Sequence, residues 1–302
     1  MPVSAIATFG LTKFYGHNRG IEDLSISVER GEVFGFLGPN GAGKSTTIRA
    51  LMGLQRATRG RASILGFDTW SEGVEVHRRV GYLPGELALF DRMTGRPHVE
   101  WVARARGVDV SKDLAVLVER LEVVLDRPVG QLSKGNRQKI GIVLAVMHRP
   151  DLLVLDEPSS GLDPLMQQTF HELLREVAAE GRTVFLSSHE LDEVQRVADR
   201  VAIVKEGHLV LTDSVDHLRA TAPQTIELDF RAPVDPRRFE SIEGVQQVRA
   251  EGTRIALELT GAIGPLLRLV AELDPVDLVA RKADLDELFL QYYRSEEPVH
   301  AP

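Results

Sequence analysis

Residues 38–45 read GPNGAGKS, a complete G-x-x-x-x-G-K-[ST] pattern. Glycines at this spacing let successive backbone N–H groups turn inward on phosphate oxygens, and a helix starting at Lys44 adds the positive end of its dipole. Lys44 then reaches the β- and γ-phosphates of a nucleotide, and the Ser45 hydroxyl can ligate Mg²⁺. Two carboxylates, Asp156 and Glu157, follow the apolar run LLVL at 152–155. Asp156 suits the magnesium shell, and Glu157 can orient and polarise an attacking water. His189 follows a third apolar run, TVFL, and the two serines behind it. A lone histidine is more often structural, but the end of a buried strand is where a γ-phosphate contact would sit. Asp156-Glu157 before Pro158 could by themselves simply cap a helix. Beside a complete phosphate loop, chemistry is the better reading.

These groups are far apart in sequence and need a scaffold that gathers them. The run VFGFL within residues 32–37 ends at the first glycine of the loop, and a helical pattern starts at Lys44. VFGFL, LLVL and TVFL read as strands buried on both faces of a parallel sheet, whose carboxyl ends carry the working groups. Short alternating strands are expected at 5–9 and 21–28. The pattern changes near 220–223. From there the order is strand 225–230, helix 236–242, strands 245–250 and 253–259, helix 263–273, strand 276–281 and helix 284–294. That order predicts a small ferredoxin-like α+β domain with an added helix, so the expected domains are 1–220 and 221–302.

Composition sets outer bounds. The chain has 302 residues, 43% of them apolar and 26% charged, an ordinary globular balance. It has no cysteine, which removes disulfides and thiolate metal sites and fits a reducing compartment. Of the net charge of -8, residues 221–302 supply most, with 15 acidic and 9 basic side chains. Neither part has a basic stripe, so nucleic acid is not the expected partner. The first residues show no basic region followed by an apolar core, which predicts no secretory signal. The apolar run IGIVLAVM at 140–147 is too short to cross a bilayer. Any membrane-spanning part is therefore expected in another chain.

The segment LSKGN at 132–136 has no catalytic side chain. Ser133 is a good helix N-cap, and a helix N-terminus offering Ser133 and the Gly135 N–H could donate to a triphosphate from a second side. LSKGN resembles the LSGGQ signature of ABC ATPases. With GPNGAGKS before it and LLVLDEPSSGLDP after it, residues 3–215 resemble the ABC transporter family. The resemblance implies a P-loop NTPase fold: a RecA-like parallel sheet core, an antiparallel β subdomain and a helical signature subdomain. It also implies an ATP- and Mg²⁺-dependent ATPase that works as a dimer. Each site would take Gly38, Pro39, Asn40, Gly41, Ala42, Gly43, Lys44, Ser45, Thr46, Asp156, Glu157 and His189 from one chain. Ser133 and Gly135 would come from the other. Lys44, Glu157 and His189 are the implied catalytic groups, and Ser45 and Asp156 the implied magnesium ligands. Tyr15 resembles the aromatic that stacks on adenine, and Asp163 lies in SGLD, which resembles the loop crossing the dimer interface.

Two departures from the family pattern stand out. In GYLPGE, Gly85 occupies the usual glutamine position and Glu86 follows: either Glu86 substitutes for the glutamine, or the contact is absent and Glu86 is a solvated surface charge. In LSKGN, Lys134 replaces a glycine and Asn136 a glutamine. The tail LDELFLQYY at 285–293 is similar to those of bacterial drug-exporter ATPases of the daunorubicin-resistance type. Leu285, Leu288, Phe289 and Tyr292 in it share one helical face. That similarity implies export through a separate permease, with the chain in the cytoplasm against the inner face of the membrane. The loop 83–96 is the expected permease contact. The alternative is a regulatory module of the same type that holds ATP and hydrolyses little of it.

Overall fold

Three strands are buried over every residue: Val33–Leu37, Leu152–Asp156 and Thr183–Ser188. Strands with two buried faces need cover on both sides, and a parallel sheet flanked by helices provides it. In the computed structural model, which describes residues 4–221 and 223–281, they form the centre of a six-stranded sheet. Its order is His208–Ser214, Arg200–Lys205, Val33–Leu37, Thr183–Ser188, Leu152–Asp156 and Val80–Leu83. The pairs from Arg200–Lys205 to Val80–Leu83 are all parallel, with Gly35 opposite Leu186 and Leu155 opposite Leu186 on its other side. The three runs expected as strands therefore lie side by side, and their charged or polar ends meet at one edge. The structure carries the last two strands further than the apolar runs alone, through Asp156 and through Ser188.

A second, antiparallel sheet contains Asn18–Leu24, Ile6–Tyr15, Arg59–Ile64 and Phe67–Asp68, with Ser27–Val28 also on Ile6–Tyr15. The expected strand at 5–9 continues to Tyr15. A register shift between Phe9 and Thr12 interrupts its two-residue alternation, so the sequence pattern shows only the first half. The expected strand at 21–28 is broken in two. Thr8 causes the break: its hydroxyl donates to Leu24 O at 2.8 Å and accepts from Ile26 N at 2.9 Å, replacing ladder bonds. Helices Gly95–Arg106, Ser111–Arg120 and Lys134–Val146 make the helical part between Val80–Leu83 and Leu152–Asp156.

The helices Lys44–Leu51, Pro164–Ala179 and Leu191–Val197 each contact the parallel sheet. Phe34 and Phe36 both pack on Phe185, with centroids 6.0 and 5.3 Å apart. Gly35 sits between these phenylalanines in sequence, and a β-carbon there would lie 2.3 Å from Val194 Cγ1. The missing side chain lets Leu191–Val197 settle directly on the strand that feeds the phosphate loop.

The chain divides between Asp213 and Ser214, so helix Val215–Thr221 belongs to the second unit. That unit continues with strand Gln224–Asp229, helix Arg237–Glu240, strands Val245–Glu251 and Arg254–Leu259, helix Gly264–Leu273 and strand Asp277–Arg281. Its sheet order is Val245–Glu251, Arg254–Leu259, Gln224–Asp229, Asp277–Arg281, with all neighbours antiparallel. This is the split βαβ arrangement of the ferredoxin-like fold. Its core joins alternate residues of two strands, Ile226 and Leu228 with Ile255, Leu257 and Leu259, to Phe239, Leu266 and Val270. The helix expected at 284–294, with Leu285, Leu288, Phe289 and Tyr292, lies outside the described residues.

Gly35 yields a stability test. Gly35→Ala should lower stability by about 1–3 kcal/mol through overpacking, seen as a lower thermal midpoint. Val194→Ala in the same chain should recover most of the loss, because it removes the colliding methyl groups.

Candidate nucleotide site

The phosphate loop is shaped by close approaches that only glycine permits. A β-carbon at Gly38 would come within 2.5 Å of Val204 O, at the end of the neighbouring strand. Gly43 has a φ of 105° and packs on Gly20, whose carbonyl a β-carbon would meet at 2.6 Å. Ala42 closes the turn by donating its N–H to Pro39 O at 3.1 Å. Helix Lys44–Leu51 then begins with no side-chain cap and no acidic residue in its first turn. Its first N–H groups and the positive end of its dipole are thus left for an anion.

Lys44 is 6% exposed. Its Nζ donates to Gly38 O at 2.6 Å and Pro39 O at 3.3 Å, and it lies 3.2 Å from Glu157 Oε1. The other carboxylate oxygen of Glu157 is 2.5 Å from His189 Nδ1. Glu157 therefore bridges the phosphate-loop lysine and the histidine from the third strand. Its backbone is left-handed, with φ 51°, a conformation that costs a non-glycine residue about 1–3 kcal/mol. Its N–H is anchored by Ser187 O at 3.1 Å. Asp156 is buried, and its Oδ1 accepts the Ser187 hydroxyl at 2.6 Å. Burial first, and the Asp156 charge second, push the Tyr82 hydroxyl pKa upward.

Lys44, Glu157 and His189 open on one cleft of about 470 Å³, whereas the buried Asp156 is not in its wall. Its walls include Tyr15, Asn40, Gly41, Gly43, Lys44, Ser45, Thr46, Glu157 and His189. Gly38, Pro39 and Ala42 supply the backbone of the loop behind that wall. Tyr15 stands half-exposed at the far end. Its hydroxyl donates to Gln55 Oε1, and Lys13 Nζ lies 5.3 Å from its ring centroid. The ring rests on Gly20, where a β-carbon would come within 2.9 Å of Tyr15 Cε2.

Other sequence candidates lie elsewhere. Ser133 and Gly135 do not line the cleft of their own chain. Ser133 caps helix Lys134–Val146, accepting from Asn136 N at 3.2 Å. Gly135 packs on Gly161, whose carbonyl a β-carbon would meet at 2.5 Å. Asp163 is also outside the cleft: its carboxylate accepts from Met166 N at 3.0 Å and caps helix Pro164–Ala179. Glu86 is exposed and absent from the walls, whereas Gly85 is present. A β-carbon on Gly85 would lie 3.0 Å from Asp156 Oδ2. Among the wall residues, Arg19 and Gly20 carry no motif signal that would have marked them, whereas Ser160 belongs to SGLD. Arg19 is 3.6 Å from Glu22 Oε2 and 3.9 Å from Glu206 Oε2.

A triphosphate loop, a strand-end Asp-Glu pair and a strand-end histidine, joined at the carboxyl edge of a parallel sheet, define a P-loop nucleoside triphosphatase. The ABC transporter family matches residues 21–160. The bacitracin transport ATP-binding protein BcrA of Bacillus licheniformis is 38% identical over 231 residues, 74% of each chain. The ABC transporter ATP-binding protein NatA of Bacillus subtilis is 35% identical over 206 residues, 66% of this chain and 84% of that one. A solved ATP-binding subunit of an ABC transporter superimposes with a TM-score of 0.68 at 31% identity, over 72% of this chain and 92% of its own. The chain belongs to the ABC transporter family, as an ATP-binding subunit that hydrolyses ATP.

Ser187 gives the site its own test. Ser187→Ala strips a buried carboxylate of its hydroxyl donor and should cost about 1–3 kcal/mol, read as a lower thermal midpoint. Ser187→Thr, which keeps the hydroxyl, should lose less.

Proposed function

We propose that this chain powers export through a separate membrane permease, by closing as a dimer on two ATP molecules and reopening after hydrolysis. The observation that carries the reading is Glu157 held between Lys44 and His189 at the wall of the cleft. The signature segment supports the dimer. Ser133 is exposed and, like Gly135, lies off the wall of its own cleft, so the Ser133 hydroxyl and the Gly135 N–H can serve a site on a second copy. Among the described residues no helix is long and apolar enough to cross a membrane, which fits a permease in another chain. The loop 83–96 is the proposed contact with it, and Phe90 and Met93 stand exposed there. Drug or lipid-like cargo is proposed from the tail similarity and from BcrA, described by name as a bacitracin transport protein. In this reading the chain sits at the cytoplasmic face of the membrane, held by the permease.

Each residue has a separable task. The N–H groups of 41–46 and the helix dipole would cradle the phosphates. Lys44 would exchange its carbonyl and Glu157 partners for β- and γ-oxygens. Freed from the lysine, Glu157 would orient a water in line with the γ-phosphorus and accept its proton. His189 would hold the γ-phosphate from the opposite side, and Tyr15 would stack on the adenine. The donors also fit magnesium, which takes hard oxygen ligands in small number beside the phosphates. Ser45 is in the cleft wall, and Asp156 keeps an oxygen directed at Gly85, where no side chain intrudes. Ser45 and Asp156 would hold the ion, which when bound neutralises charge on the phosphate oxygens.

Glu157→Gln should keep ATP binding and lower kcat by about 10²- to 10⁴-fold, the range for loss of a general base. Lys44→Ala should instead lose tight binding of ATP, measured by equilibrium titration. Normal turnover in Glu157→Gln would remove Glu157 from its role.

A further inference from the structure

Lys134 stands where the ABC signature has glycine, and its side chain is committed. The Nζ donates to Ser160 Oγ at 2.8 Å. Its stem lies over Gly161, whose φ is 82°: a β-carbon there would be 3.2 Å from both Lys134 Cγ and Cδ. Ser160 is in the wall of the nucleotide cleft, and its own N–H donates to Glu157 O at 3.2 Å. One turn further along the same helix, the buried Gln138 donates Nε2 to Pro158 O at 2.8 Å. The segment from Glu157 to Gly161 is therefore tied to helix Lys134–Val146 at Gln138, at the Gly135 backbone and at Lys134. The first two ties need no charged side chain at 134.

From this geometry we infer that Lys134 is a positioning residue, which locks the start of the signature helix to the loop carrying Glu157 and Ser160. The inference rests on the proposed reading of the site. The helix start serves a second copy, while Glu157 serves the chain's own cleft. A pin between them makes the two halves of one chain move together, so closing around one nucleotide sets the general base of the other. Lys134 acts through Ser160 and does not touch the nucleotide of its own chain. Its amine already has a hydroxyl acceptor, and its stem is stacked on the glycine.

A double-mutant cycle on the full chain tests this. Lys134→Met keeps the stem and removes the donor, and Ser160→Ala removes the acceptor. Each should lower kcat for ATP about three- to tenfold, the size expected for one hydrogen bond, with KM changed less than about twofold. The double variant should lose no more than either single one, and Lys134→Arg should keep most of the turnover. Position 134 is exposed, so the melting temperature of Lys134→Met should match the wild type. Unchanged kcat in Lys134→Met, losses that multiply in the double variant, or a raised KM at constant kcat would each overturn the pin. Glu157→Gln, run alongside, separates the two claims. If it abolishes turnover, the site reading stands and the Lys134 result judges the pin alone. If Glu157→Gln turns over normally, both fall.

Discussion

The burial of Lys44 is the constraint on which the site depends. An ammonium group at 6% exposure must have partners, because an unpaired buried charge is strongly unfavourable. Two partners are backbone carbonyls of its own loop, which only the glycine-rich turn can present. The third is Glu157, from a different strand. In the proposed reading a phosphate that enters replaces these contacts, so binding the nucleotide and freeing Glu157 to act as general base become one event. The left-handed backbone of Glu157, anchored by Ser187, fits a residue held in place for chemistry and not for packing.

The parallel sheet supplies the geometry for that event. Gly35 and Gly38 remove side chains where the strand and loop approach Val194 and Val204. The phosphate loop, the Asp156-Glu157 pair and His189 leave adjacent strands at the same edge, and their mutual distances follow from strand spacing. On the far side of Glu157, the loop through Gly161 rests on the signature helix. Glu157, the proposed general base, is thus suspended between two rigid elements: the strand that ends at Asp156 and the helix that starts at Lys134.

Much of this was legible in the sequence, for local reasons. The phosphate loop and the buried runs are dictated by residue type within a few positions, so VFGFL, LLVL and TVFL were recognisable and their polar ends marked the site. The α+β order after residue 223 was legible because alternation and helical period change at clear turns. The illegible parts depend on contacts distant in sequence. Thr8 splits a strand by bonding to Leu24 and Ile26, and nothing local in 21–28 predicts that break. Arg19 enters the cleft wall only because its strand lies beside the phosphate loop. The sequence left Glu86 open between a substitute for the missing glutamine and a solvated surface charge, and the structure puts Gly85 at the wall and Glu86, exposed, outside it. Nothing local at Lys134 signals that its amine bonds to Ser160, 26 residues further along the chain.

In the proposed reading the cleft is half of a shared site, completed by Ser133 and Gly135 of a second copy. The most direct measurement is the solution mass of the Glu157→Gln protein, first with Mg-ATP and then with Mg-ADP. A dimer that forms with ATP and falls apart with ADP is the predicted result. A monomer under both conditions, at concentrations where ATP is shown to be bound, would contradict the shared site.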